Sequence, residues 1–258
     1  TAGSVEIKDT AEVSAPGDKG IAIYTTGEDA NVTIHGGTVR TTTGAAIYAT
    51  GGNAGVMVRG GTVRATTGAA IYTTGEDANV TVSGGTVSAS DSIGIAIYAA
   101  GAVSNVTVSG GMVSATGGGT AIFATGGGAT VTVSGDATIS GRTAILTAGS
   151  VLVKDNGTVS GGTGSDDIAI YATGGGSTVT VSGDATISGT TAINTAGSVE
   201  IKDTATVSAT DRGTAIFATG GGATVTVSGD ATISGRTAIN TAGSVEIKDT
   251  AEVSAPGD

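Results

Sequence analysis

Aliphatic and polar residues alternate along the chain in short stretches, and the same arrangement returns every 23 to 26 residues. Within each stretch the alternation has the period of two that is typical of β-strands, and Gly, Asp, Asn and Ser cluster between the stretches, where they favour turns. The repeat is marked most clearly by an Ala-Ile pair, whose Ile residues are Ile23, Ile47, Ile71, Ile97, Ile122, Ile145, Ile170, Ile193, Ile216 and Ile239. Each repeat therefore predicts three short strands separated by three bends.

A repeat of this size buries only about four aliphatic side chains, too few to offset the ordering of its backbone. Repeats of this kind become stable by stacking, so that each coil supplies the hydrogen-bond partners of the next. Parallel crossover connections are overwhelmingly right-handed. We therefore predict an all-β fold, a right-handed parallel β-helix (β-solenoid) of about ten coils of 23–26 residues with three short strands per coil. At about 4.8 Å per coil, ten coils span roughly 48 Å.

A second, longer period contains these coils. The segment 241–258 repeats the segment 1–18 letter for letter, which gives a period of 240 residues. We expect residues 1–258 to form one continuous solenoid and to be an excerpt of a longer array. Neither copy of the repeated segment resembles a polar cap, and an uncapped coil presents unpaired backbone groups. The array is accordingly expected either to continue or to stack end to end on other copies of itself.

Composition excludes several classes of protein. The chain has no Trp, no Cys, two Phe and 47 Gly among 258 residues, so it cannot build a bulky globular core or disulfide staples. A net charge of −11 with only 11 Lys and Arg argues against binding to nucleic acid. No stretch approaches the roughly 20 apolar residues of a membrane span, so this segment is not expected to insert into a membrane.

Some repeats have the character of a known family. Segments such as NVTVSGGTVSA, joined to segments such as TAIFATGGG, resemble the right-handed β-helical repeats of bacterial surface adhesins and autotransporter-type passengers. The resemblance covers the whole chain and is one of architecture. It implies a secreted or cell-surface protein with an adhesive or filamentous role, and no catalytic motif comes with it.

One column of residues is a candidate partner-binding ladder. The position directly after the recurring Ile is aromatic in seven of ten coils: Tyr24, Tyr48, Tyr72, Tyr98, Phe123, Tyr171 and Phe217. If the Ile points inward, these rings point outward about 4.8 Å apart, an arrangement that suits binding to surface glycans or to another filament. The alternative is that the rings stack for stability alone. The Ala before each Ile is expected to allow close lateral approach of another chain.

Charged residues suggest two further sites. His35 with Arg59, and Arg40 with Arg64, form two basic columns on adjacent coils, which predicts either a docking patch for an acidic face of another copy or ordinary solvated turns. Carboxylates recur at turns, as at Glu28, Asp136 and Asp184, where turn chemistry explains them better than Ca²⁺ binding does. We predict no metal site and no cofactor.

These patterns favour a structural function over catalysis. Carboxylates copied from coil to coil, one His and no long insertion do not form the singular cluster that a polysaccharide-degrading site needs, so we predict that the chain is not an enzyme. An outward column of Thr residues suggests ice binding, but Met57, Leu152, Glu200 and Glu246 interrupt it. The favoured function is a structural fibre or stalk module of an extracellular or cell-surface protein, which assembles with other copies of itself. A glycan-binding adhesin is the alternative, and ice binding and polysaccharide degradation are minor ones.

Overall fold

The computed structural model describes residues 3–255, and in that range it contains thirty β-strands and no helix. The outermost residues of the predicted solenoid, 1–2 and 256–258, lie outside the described range. The first ten strands are β1 (Val5–Ile7), β2 (Glu12–Ala15), β3 (Gly20–Thr25), β4 (Asn31–Ile34), β5 (Thr38–Thr41), β6 (Gly44–Ala49), β7 (Gly55–Val58), β8 (Thr62–Ala65), β9 (Ala69–Thr73) and β10 (Asn79–Val82). The next ten are β11 (Thr86–Ala89), β12 (Ile95–Ala99), β13 (Asn105–Val108), β14 (Met112–Ala115), β15 (Thr120–Ala124), β16 (Thr130–Val133), β17 (Thr138–Ser140), β18 (Thr143–Thr147), β19 (Ser150–Val153) and β20 (Thr158–Ser160). The last ten are β21 (Ile168–Ala172), β22 (Thr178–Val181), β23 (Thr186–Thr195), β24 (Ser198–Ile201), β25 (Thr206–Ala218), β26 (Thr224–Val227), β27 (Thr232–Ser234), β28 (Thr237–Thr241), β29 (Ser244–Ile247) and β30 (Glu252–Ser254).

The strands form three faces that run along the stack, and every pairing is parallel. The first face is an 11-stranded sheet in the order β1-β4-β7-β10-β13-β16-β19-β22-β24-β26-β29. The second face follows β2-β5-β8-β11-β14-β17-β20-β23-β25-β27-β30. The third follows β3-β6-β9-β12-β15-β18-β21-β23-β25-β28. Successive strands of one face therefore come from successive coils.

The register confirms the predicted stack of coils. The ten Ile residues of the repeat pair in unbroken succession from Ile23 to Ile239. The two aliphatic positions of the first face and the single one of the second face pile up in the same way, for example Val80 on Val56 and Val87 on Val63. These columns form one continuous buried core along the described part of the chain. The predicted all-β parallel solenoid of about ten coils is thus confirmed.

The Ala before the Ile is buried in nine of the ten coils and partly buried at Ala22, so the expectation that it allows lateral approach of another chain is wrong. Ala46 and Ile47 are adjacent on β6, and both are fully buried. Strict alternation would turn one of them outward. The ladder omits the Ala on both coils, with Ala45 paired to Ile21 and Ile47 to Ile23, so the Ala lies where the regular pairing is interrupted. Only a small side chain fits beside the Ile inside so narrow a coil.

The second and third faces merge at two coils, which departs from the prediction of three short strands in every coil. β23 has 10 residues and β25 has 13, and each contributes to both faces. The register between them shifts between Gly189 and Thr191, which marks a β-bulge at the corner. The strand continues there because the corner is turned by this local irregularity rather than by a separate turn.

The turn between the first and second faces alternates between two types in the coils after Ile122. One version places a Gly in the left-handed backbone region and the other places an Asp there, as at Gly183 (φ 67°) and Asp203 (φ 62°). The Gly183 amide donates a hydrogen bond to Asp203 Oδ2 of the next coil at 3.0 Å. The same bond joins Gly229 to Asp249. The two turn types therefore act as complementary partners across the coil boundary.

Candidate functional site

The aromatic column faces outward on the third face, and its rings are stacked. Ring centroids are 5.3 Å apart between Tyr24 and Tyr48, 4.8 Å between Tyr48 and Tyr72, 4.7 Å between Tyr72 and Tyr98, and 5.0 Å between Tyr98 and Phe123. Neighbouring planes are within 23° of parallel at the Tyr24 end and within 10° along the rest of the stack. We call these five residues the aromatic ladder. Its spacing follows from the coil repeat.

The other two aromatic residues of the column do not join the ladder. Leu146 pairs with Phe123 on one side and with Tyr171 on the other, so it separates Tyr171 from the stack. Asn194 lies between Tyr171 and Phe217 in the same column. Continuous stacking is therefore confined to five successive coils.

The ladder presents ring edges rather than ring faces to solvent. Because the planes lie one above the other along the stack, each interior ring has both faces covered by its neighbours. Burial raises the pKa of the Tyr72 phenol, and the adjacent phenols of Tyr98 and Tyr48 raise it further. A ligand at the ladder would therefore contact hydroxyl groups and ring edges.

A shallow apolar groove of about 450 Å³ runs beside the ladder, and the repeat pattern alone did not predict it. Tyr48, Tyr72 and Tyr98 form one wall. Ala45 and Ala69 lie in the groove, and the column to which they belong has Ile at the coils on either side, Ile21 and Ile95. Ile93, in the turn that precedes β12, is 74% exposed at the rim. The sequence contains an indication of this groove, because Ala45 and Ala69 occupy a column in which the neighbouring coils have the larger side chain of Ile.

The basic residues form two columns, as predicted, and the coil beneath already engages one member of each. Arg40 pairs with Arg64 in the second face. His35 Nε2 lies 2.9 Å from Glu6 Oε1, and Arg40 Nε donates to Glu12 Oε1 at 2.7 Å. Among the described residues Arg59 and Arg64 have no carboxylate partner, although Arg59 Nε contacts the Met57 sulfur at 3.0 Å. The open positive charge of the patch therefore lies on these two arginines.

The turn carboxylates accept hydrogen bonds within their own turn or from the turn of an adjacent coil. Asp155 Oδ2 accepts a hydrogen bond from the Gly135 amide, and Asp167 Oδ2 accepts one from the Gly164 amide. The Thr204 hydroxyl donates to Asp184 of the coil beneath. Within residues 3–255, no group of three or more His, Asp or Glu side chains is arranged to hold a metal ion. No helix in that range is long and apolar enough to span a membrane.

The outward column of the first face has the predicted register and the predicted interruptions. Thr33, Met57 and Thr81 occupy successive coils, and Leu152 lies between Thr132 and Thr180. Such a column presents hydroxyl groups in short runs rather than as one lattice.

Stacked parallel coils with three faces define the class of the protein as a parallel β-solenoid. The family model for the right-handed β-helix region matches residues 2–141, more than half of the chain. The chain belongs to this family. The family includes enzymes as well as proteins that are not enzymes, so membership alone does not assign an activity. Comparisons with curated proteins and with solved structures gave no match.

Proposed function

We propose that this chain is a structural module of an extracellular or cell-surface protein, in which stacked coils act as a stiff stalk or fibre. The observation that carries the proposal is the continuity of the ladders. All three faces pass from coil to coil through the described chain without a break in the stack. A rod of this kind resists bending because every coil is hydrogen-bonded to both neighbours.

Within residues 3–255 no group of three or more His, Asp or Glu side chains is arranged to hold a metal ion, which favours a structural over a catalytic role. Carboxylates recur at equivalent turns, as Asp155, Asp203 and Asp249 do, and in the described chain their hydrogen bonds go to backbone amides of adjacent coils. A glycosidase or lyase site requires carboxylates or basic groups that converge on one cleft. We therefore propose that the chain is not an enzyme.

Immunoelectron microscopy of the producing cells tests the proposal. An antibody raised against the chain should label projections or a matrix outside the cell envelope, and pre-absorption with the purified chain should abolish the labelling. Labelling confined to the cell interior would contradict both the location and the stalk function. A purified chain that cleaved a polysaccharide catalytically would contradict the non-enzymatic role.

A glycan-binding adhesin is the second candidate, and the groove beside the aromatic ladder favours it. An apolar floor beside a row of phenol hydroxyls matches a sugar, which has apolar C–H faces and polar rims. Because the interior ring faces are covered, such a ligand would lie across the ring edges.

A glycan array with matched variants separates the two candidates. Ala69→Leu fills the groove floor, and Tyr171→Ala removes an aromatic residue outside the ladder. An adhesin should bind specific glycans, lose binding in Ala69→Leu and keep it in Tyr171→Ala. No binding by the unmodified chain would eliminate the adhesin and leave the structural role intact.

A further inference from the structure

The first face carries carboxylates along one edge and basic side chains along the other at β4, β7 and β10. The turns before β4 and β10 each present two exposed carboxylates: Glu28, Asp29, Glu76 and Asp77. The opposite edge presents His35 directly after β4 and Arg59 directly after β7, and both side chains are exposed. A strand of four residues, about 13 Å long, separates the two edges. The face is therefore electrically polar in the direction of its strands.

Most of these charges have no partner of opposite sign. Within residues 3–255, no basic side chain lies within ion-pair distance of the four carboxylates. Arg59 has no carboxylate partner in that range either, and its Nε lies 3.0 Å from the Met57 sulfur. Since β7 and β10 each have a strand on both sides, the exposure of Arg59, Glu76 and Asp77 is a property of the face itself. These charges are thus available to a partner.

A notch lies between the two edges at β7. Gly55 interrupts a column of Asn residues, with Asn31 beneath it and Asn79 above. Where Asn follows Asn in this column, the lower amide oxygen is used, since Asn105 Nδ2 donates to Asn79 Oδ1 at 3.2 Å. A Cβ on Gly55 would collide with Asn31 Oδ1, and this oxygen has no donor among the described residues. The notch belongs to a surface depression of about 280 Å³ that extends to Arg59.

A second copy of the chain fits this face when the two copies are related by a two-fold axis parallel to the stack. Such an axis sets the two first faces against each other, with coils at the same level and strand directions reversed. When the axis passes by the Met57 column, Arg59 of one copy faces Gly55 of the other, because both residues lie two positions from Met57. The notch then admits the Arg59 side chain, and its guanidinium meets the open amide oxygen of Asn31. The same contact forms twice.

This insertion also brings Arg59 to the acidic edge. Asn53 lies two residues before Gly55, about 6.6 Å along the chain, and its column contains Asp29 on the coil beneath and Asp77 on the coil above. Adjacent coils are about 4.8 Å apart, so both carboxylates are within reach of a guanidinium at the level of Asn53. Charge-assisted hydrogen bonds between guanidinium and carboxylate are among the stronger ones. The pairing thus supplies partners to charges that the single molecule leaves open.

We propose that two copies pair side by side through their first faces, with parallel stacks, and that Arg59 of each copy inserts between the acidic turns of the other. The proposal rests on the structural function proposed above and gives the stalk a lateral partner. Antiparallel stacks would instead set basic edge against basic edge and acidic edge against acidic edge, which like charges oppose. Charge therefore selects one orientation.

The size of the face indicates how strong this pairing is. The eleven strands of the first face span ten coil steps, roughly 48 Å, and the face is about 13 Å wide. Face-to-face contact would bury roughly 600 Å² on each copy, or about 1,200 Å² in total, which is the lower end of the range for specific interfaces. We therefore expect reversible pairing that depends on concentration and weakens with added salt.

Two complementary variants of the full chain test the contact. Arg59→Glu places a carboxylate opposite the acidic turns, and Asp29→Lys with Asp77→Lys places ammonium groups opposite Arg59. Each variant alone should pair with a dissociation constant roughly tenfold to a hundredfold higher than that of the unmodified chain, as measured by sedimentation equilibrium at low salt. An equimolar mixture should pair about as tightly as the unmodified chain, because opposite charges then meet at both contacts. Arg64→Glu makes the same charge change on the second face and should leave the dissociation constant unchanged.

Spin labels report the orientation of the two copies. Single variants Thr132→Cys, Thr180→Cys and Thr226→Cys place a label in the outward column of the first face, several coils from Arg59. In parallel stacks every coil faces its own counterpart, so the distance between the labels of the two copies should be the same at all three positions. In antiparallel stacks the coil order is reversed, so the three distances cannot be equal.

Several results would overturn the proposal. The unmodified chain could stay monomeric at low salt and high concentration, the mixture could pair no more tightly than its separate components, or Arg64→Glu could weaken pairing as much as Arg59→Glu. Unequal label distances would contradict the parallel orientation. A monomeric chain that bound an anionic glycan through Arg59 would assign the face to that ligand and refute the pairing. None of these results affects the labelling of cells, so the structural function would still stand or fall on its own test.

Discussion

A glycine column at the corner between the third and first faces sets how closely coils can approach, and two adjacent glycines make this testable. A Cβ placed on Gly174 would lie within 3.0 Å of the Ala148 carbonyl oxygen of the coil beneath, a distance that real Cβ atoms do not show. A Cβ on Gly175 would meet nothing within 4 Å. Neither glycine has a positive φ, so the two substitutions differ in space and not in backbone conformation.

Ala at position 174 must push two coils apart at a point where the Thr173 amide donates to the Thr147 carbonyl at 2.8 Å. Overpacking of this kind typically costs about 1–3 kcal/mol. Replacing Gly by Ala also removes freedom from the unfolded chain, which stabilises by roughly 0.4–1 kcal/mol where no strain arises. We therefore expect Gly174→Ala to be less stable than Gly175→Ala by about 1–3 kcal/mol.

Urea unfolding followed by circular dichroism measures this difference, and hydrogen exchange at the Thr173 amide localises it. Exchange should accelerate in Gly174→Ala and remain unchanged in Gly175→Ala. Long repeat proteins can unfold in parts rather than in one cooperative step. Hydrogen exchange at the Thr173 amide reports the local change in stability even if urea unfolding is not two-state. Equal stability and equal protection in the two variants would refute the claim that this corner fixes the coil spacing.

Three other substitutions test the core, the ladder and the turn. Ile122→Ala truncates a fully buried side chain of the Ile column and should lower the free energy of unfolding by about 2–5 kcal/mol, with Ile122→Val as the milder control; an unchanged urea midpoint would contradict its burial. Because burial raises the pKa of Tyr72, this phenol should be the last to ionise in an ultraviolet titration, and Tyr72→Phe should remove that final step. The folded state holds this proton more tightly than the unfolded state, so its contribution to stability should decline as the pH rises above about 10. Asp203→Ala should cost roughly 1–3 kcal/mol because it puts Ala at φ 62° and removes the acceptor of the Gly183 amide, whereas Asp203→Asn should keep most of the stability.

The fold could be predicted from the sequence because the periodicity carries the three-dimensional register directly. In a stack of coils, the residue one period away is the residue one coil away, so Ile71 must lie between Ile47 and Ile97. Few other folds translate sequence spacing into contact so simply. The stacking of Tyr48 on Tyr72 follows from the same rule.

Features that depend on the corners could not be read from the period. Alternation assigns Ala46 to the outside, but the ladder is interrupted at this residue and it is buried beside Ile47. The continuous strand Thr206–Ala218 likewise depends on how residues 209–213 turn the corner, and Gly and Thr there predict a turn as readily as an extended segment.

The candidate site was predicted only in part, because single side chains decide it. The aromatic column was identifiable, but the groove depends on the small size of Ala45 and Ala69 relative to Ile21 and Ile95. The ion pair of Arg40 with Glu12 depends on the register of β2 on β5. The repeat pattern predicts this register only when the residue at which each repeat begins is known. The roles of the ladder and of the basic columns remain predictions.

The central claim is that successive coils lie squarely on one another, and spin-label distances test it most directly. The chain has no cysteine, so labelled Cys pairs are easily introduced in the outward column of the first face. Thr33 paired with Thr132, Thr180 or Thr226 spans four, six or eight coil steps in the observed register. At about 4.8 Å per step, mean distances should rise linearly through roughly 19, 29 and 38 Å. Distances that failed to increase in equal steps would contradict the stacked solenoid.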